Sequence, residues 1–188
     1  MKFRVLSVLA LTAVVFSMNS CKKDPVEPVI ENEEEVITTL NFTLTPDGGG
    51  DAVIFSFQDL DGDGGSAAVI ENGILAANTT YTGALELLNE TESPAEDITE
   101  EVEEEAEEHQ FFFETTLTAL AVSYADTDAD GNPIGLATTV TTGDAEMGTL
   151  TITLRHEPVK DGTGVSDGDI TNAGGETDIE ITFDVDVQ

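Results

Sequence analysis

Basic residues, tryptophan and cysteine are scarce in this chain of 188 residues: six Lys and Arg, no Trp and one Cys. A single cysteine excludes an intrachain disulfide and a thiolate-rich zinc site. Beyond position 20 only Lys22, Lys23, Arg155 and Lys160 are basic, against 39 Asp and Glu in a chain of formal charge −33. Such a surface repels phosphates and anionic lipid headgroups within a Debye length, which excludes nucleic acid as a partner and leaves cationic ligands, metal ions included. The longest apolar run, Val5 to Phe16, would reach about 18 Å as a helix, short of the ~30 Å of a bilayer core. Neither a Gly-x-Ser-x-Gly elbow, nor a phosphate loop, nor a dinucleotide fingerprint occurs, and the expectation is a protein that is not an enzyme.

What is present begins with an export signal. Lys2 and Arg4 precede the apolar run, and Ser17-Met18-Asn19-Ser20 leads into Cys21. Residues 1–20 read as a lipoprotein signal peptide and Cys21 as the lipidated (palmitate-bearing) N-terminus, the alternative being an ordinary signal cut nearby that leaves an exposed thiol. Residues 21–34, with Pro25, Pro28 and several acids, have too few apolar groups to pack and read as an acidic tether.

Residues 35–188 carry period-two alternation. Strands are expected over 36–44, 52–57, 80–87, 110–114, 117–124, 148–155 and 179–187, seven or eight in all. In the last of these the odd positions from Ile179 to Val187 are apolar and the even ones polar, so one face is buried and the other wet. Short Gly- and Asp-rich turns separate the runs. The expected fold is mostly β: a single antiparallel, immunoglobulin-like β-sandwich with one inserted acidic α-helix over about 94–109. Ser93 would cap that helix, Pro94 would take its first position, and Glu96 would close a capping box. The helix has a thin apolar stripe of Ala95, Ile98, Val102 and Ala106. Its other faces carry glutamates four apart, which repel one another unless a cation, a basic partner or salt intervenes.

Two loops repeat Asp-x-Asp-x-Asp-Gly: Asp59, Asp61 and Asp63 before Gly64, and Asp126, Asp128 and Asp130 before Gly131. Hard oxygen donors at alternate positions suit calcium, and these six are the first metal candidates. Ile70 and Ala137 stand where an EF-hand would place its bidentate glutamate, so any ion would need an acid from elsewhere. The competing reading is that the carboxylates cap backbone amides in tight turns. A weaker cluster for zinc or copper is Glu105, His109 and His156, the first two at helical i,i+4 spacing.

The segments 55–65, 107–113 and 174–185 together resemble a group of Bacteroidota lipoproteins, some of which carry the label type 1 periplasmic-binding. That label would imply two α/β lobes closing on a sugar, whereas the strand alternation here lacks the repeated βα units such lobes require. The resemblance implies an address at the outer membrane. In that group a lysine followed by acids just after the lipidated cysteine accompanies display at the cell surface; here Lys23-Asp24 is followed by Pro25 and Val26 before Glu27, and the periplasmic face is the alternative. The functional expectation is a lipid-anchored, non-catalytic binding or accessory module, with calcium as its candidate stabilising ion. The alternative is a metal-capture lipoprotein working with an outer-membrane transporter.

Overall fold

Alternation in the sequence becomes burial in space. Ile179, Ile181, Phe183, Val185 and Val187 are buried while Glu180, Thr182 and Asp184 are exposed. The structure, a computed structural model, describes residues 35–62 and 65–188. The signal peptide, Cys21, the tether over 21–34 and Asp63 lie outside the described residues.

In chain order the elements are β1 (Thr39–Pro46), β2 (Val53–Gln58), β3 (Val69–Glu71), β4 (Ile74–Leu75), β5 (Thr80–Asn89), β6 (Glu96–Asp97), α1 (Ile98–Glu104), β7 (His109–Thr115), β8 (Ala121–Tyr124), β9 (Ala137–Thr141), β10 (Glu146–His156) and β11 (Glu176–Val187). One sheet runs β3-β2-β1-β5-β9-β8, with β6 also on β5; the other runs β4-β11-β10-β7. Pairing is antiparallel throughout except where the two-residue β4 lies parallel to β11. The mostly β, sandwich-like arrangement of two sheets and one helix is as expected. The additional short strands β3, β4, β6 and β9 have too few residues to show a period, or, in β9, too many threonines.

Aromatic pairs join the sheets. Phe55 of β2 meets Phe183 of β11 edge-on at 5.6 Å between ring centroids, and Phe42 of β1 meets Phe113 of β7 at 5.7 Å. Such pairs add roughly 0.5–1.5 kcal/mol to the burial of their rings. Phe112 points to the opposite face of β7, yet it is also fully buried, because Val165, Ile170 and Ala173 in the turns over 165–173 cover it. Phe111-Phe112-Phe113 is therefore a core strand covered on both sides.

The helix is shorter than its sequence suggests. Glu96 and Asp97 are drawn into pairing with Asn89 and Leu88 of β5, so Asp97 becomes the N-cap, accepting from the Thr99 amide, and Ser93 does not cap. Thr99 locks this start by bonding both the amide and the carbonyl of Leu87. At the other end, glutamates face the negative pole of the helix dipole with no basic residue in the last turn, and the helix stops at Glu104. Ile98, Val102 and Ala106 form the buried stripe; Ala95 is exposed.

A single buried lysine ties together three loops. Lys160 Nζ donates to the carbonyl of Ala106 just past the helix, to Asp128 Oδ2 at 2.9 Å and to the Pro133 carbonyl at 3.2 Å. Both charged side chains are almost wholly buried, at 5% and 1% exposure. Removing one member of such a pair strands the other charge in a poor solvent, so Lys160→Met should cost about 3–5 kcal/mol in urea unfolding. A loss under ~1 kcal/mol would show that the pair is dispensable.

Candidate metal centre

Two core stripes end in histidine. The inward side chains of β7 run Phe113, Phe111, His109, and those of β10 run Ile152, Leu154, His156, with His109 and His156 directly opposite in register. Their rings stack obliquely at 4.7 Å between centroids and 33° between planes. His109 opens β7; it does not close the helix, as the sequence spacing suggested.

The third contributor depends on a β-bulge. Leu154 pairs with Ile179 and Arg155 with Thr177, so Asp178 is an extra residue in β11. By simple alternation it would share the wet face of Glu180 and Thr182. The bulge re-aims it, and its side chain is fully buried beside the imidazoles. Close approach of the two strands here needs Gly175: at φ +70 a Cβ would sit 2.2 Å from the His156 carbonyl oxygen. Glu35 is the fourth contributor, four residues before β1, with a side chain 6% exposed.

One potential ligand atom from each of Glu35, His109, His156 and Asp178 lies within 4.8 Å of the others, and this is the set of convergent ligand groups among the described residues. His109 Nε2 is 3.1 Å from Glu35 Oε1 and 3.9 Å from Asp178 Oδ2. His156 Nδ1 is 3.7 Å from Asp178 Oδ1 and 3.9 Å from Glu35 Oε2. On the far side of the rings, His109 Nδ1 lies 3.1 Å from the Glu105 carbonyl and His156 Nε2 lies 3.9 Å from the half-exposed Glu108 carboxylate.

These contacts assign protons. A carbonyl only accepts, so Nδ1 of His109 carries hydrogen and Nε2 of the neutral ring turns its lone pair toward two carboxylates. Nε2 lies 3.1 Å from Glu35 Oε1, and Glu35 Oε2 has no hydrogen-bond partner among the described residues. A lone pair facing buried anions is repelled by them unless a positive charge intervenes, and either a proton or a metal ion supplies one. Burial works against charge on both groups. Even so, the His109 contact and the two imidazoles hold Glu35 below its ordinary 4.5, and Glu35 and Asp178 hold His109 above its ordinary 6.5. The wider field is negative as well: burial, then Glu96 and Glu35, push Glu101 up. A backbone carbonyl orienting the rear nitrogen of a histidine is the usual outer support of a metal-bound imidazole.

Other sequence candidates are placed differently. The Glu105 side chain is exposed and only its carbonyl serves the centre. Asp126 accepts from the Gly135 and Ala137 amides, and Asp128 from the Asp130 and Asn132 amides as well as Lys160. Burial would raise the Asp128 carboxyl, but the lysine and these amides hold it below its ordinary value. Asp130 is exposed at the turn. In the first loop Asp59 accepts from the Asp61 and Gly62 amides and Asp61 from the Ser66 amide, which is turn capping as far as it is described. The sequence reading missed Glu35, taken as the start of the domain, and Asp178, whose parity pointed outward. The shared inward parity of His109 and His156 was the signal available. No protein-family model, curated protein or solved structure matches this chain.

Without metal, the Glu35–His109 attraction sets a pH window. The carboxylate's contribution is present above 4.5 and fades as pH falls through its depressed folded value; that of the imidazole is present below 6.5 and fades as pH rises through its raised one. In chelator-treated protein, Glu35→Gln should therefore lower the Tm more at about pH 6 than at about pH 9. Equal losses at both would refute the ionic pairing.

Proposed function

We propose that this chain is a lipid-anchored, non-catalytic lipoprotein of the outer membrane, acylated at Cys21, whose sandwich binds one divalent first-row transition-metal ion through Glu35, His109, His156 and Asp178. The observation that carries this reading is the convergence of two imidazoles and two carboxylates in a nearly dry site, with the His109 tautomer set so that Nε2 faces inward. Nitrogen donors disfavour calcium and magnesium, which take oxygen shells, and the lack of thiolate disfavours copper(I). Zinc fits a tetrahedral set of two nitrogens and two oxygens. Four protein donors close that shell, which suits holding an ion better than turning over a substrate on it. The acidic surface would raise the local concentration of cations around the mouth of the site. Metal capture beside a membrane transporter is the role this favours. A calcium-stabilised module has less support, since Asp59, Asp61, Asp126 and Asp128 already accept hydrogens from amides or an ammonium group.

Detergent-purified full-length protein should retain one zinc per chain by elemental analysis after dialysis against metal-free buffer, and the His109→Ala/His156→Ala variant should retain none. Equal zinc in both would refute the site. For the anchor, Cys21→Ser should move the protein out of the membrane fraction, and an unchanged membrane pool would count against acylation there.

A further inference from the structure

We infer that Glu35 is the exchangeable ligand of this centre, the one through which an ion is admitted and released, while His109, His156 and Asp178 form a standing three-ligand face; the inference rests on the metal-binding reading above. The three belong to β7, β10 and β11, which lie side by side in one sheet, and their positions are set by ladder pairing: His109 opposite His156, and Asp178 held in the bulge between two paired residues of β11. Moving any of them means breaking strand pairs. Glu35 has no such frame. It lies before β1 of the other sheet, in a stretch with no strand pairing over 35–38, and main-chain hydrogen bonds between described residues begin at Thr38, whose amide meets the Leu88 carbonyl at 3.0 Å. Its neighbour Val36 is 55% exposed, so little apolar burial holds the segment down; Ile37 is its main contact with the core.

The surroundings show where an ion would pass when this segment lifts. Val36, Ile37 and Thr38 form one wall of a groove of about 490 Å³ whose other walls include Asp59, Asp61 and Asp178. Displacing residues 35–37 would join this groove to the centre, and its acids would draw a cation toward the standing ligands. Glu35 then closes from above, its two oxygens spanning the His109 and His156 nitrogens at 3.1 Å and 3.9 Å. Closure would join the two sheets through the ion, so loading would hold the segment before β1 more firmly than the Glu35–His109 contact alone. This arrangement suits a carrier that must release its ion, since an acceptor needs to replace only one protein ligand to begin the transfer.

The test follows zinc extraction by EDTA from detergent-purified full-length protein, with hydrogen exchange read on the amides of residues 35–38. Glu35→Gln should still bind one zinc per chain at saturating metal but lose it about 10–100-fold faster than wild type. Zinc should protect the 35–38 amides in wild type and not in this variant. Asp178→Asn, with circular dichroism confirming its fold, should fail to hold zinc stoichiometrically. An unchanged extraction rate in Glu35→Gln, or a loss of zinc as complete as in Asp178→Asn, would overturn the exchange role while leaving the metal site standing. Wild-type protein that binds no zinc would overturn the metal reading itself.

Discussion

Two buried carboxylates and two imidazoles at one end of the sandwich require positive charge between them, and the local architecture is organised around that requirement. The Glu105 carbonyl fixes the proton of His109 on the rear nitrogen, so the front nitrogen can add a lone pair to an already negative site or take a cation. A proton on His109 Nε2 would face both Glu35 and Asp178 from one ring nitrogen. A divalent ion satisfies all four groups at once. The helix turn that presents Glu105 and Glu108, the bulge that presents Asp178 and the glycine that lets β11 approach His156 all act on this one point.

The same sandwich explains why the centre lies where it does. Apolar stripes fill the interior along β7 and β10 until the strands run out, and histidine follows phenylalanine and leucine in the inward sequence without changing face. At the rim of the core the imidazoles are still buried, with the aromatic core behind them and Glu35 in front. Lys160 meets the same need in the second acidic loop: its ammonium neutralises Asp128 and satisfies loop carbonyls, so that loop carries its own internal cation. One acidic loop is thus closed by lysine.

Much of the fold was legible because strand alternation is a local property. The seven long runs all became strands, whereas the burial of Phe112 depends on partners, Val165 and Ala173, from a turn region with no periodic signal. The helix start was misplaced because Glu96 of its capping box is claimed by a tertiary pairing, Glu96–Asp97 on β5, which no local pattern reveals, and its end because glutamates meet the negative pole of the helix dipole with no basic residue in the last turn. For the centre, the two histidines were visible and their mutual register was not. Asp178 was hidden by the bulge, which reverses the face that sequence parity assigns. Glu35 stood at the border of an acid-rich tether, one glutamate among many until the fold gave it neighbours. The Asp-x-Asp-x-Asp loops were conspicuous for the opposite reason, since their chemistry is local: Asp59, Asp61, Asp126 and Asp128 accept from nearby backbone amides.

X-ray absorption at the zinc edge of the loaded protein is the most direct test of the central claim. The expected result is a four-coordinate shell of two imidazole nitrogens and two carboxylate oxygens at about 2.0–2.2 Å, with outer-shell scattering from the imidazole rings. An all-oxygen shell without imidazole scattering would contradict it.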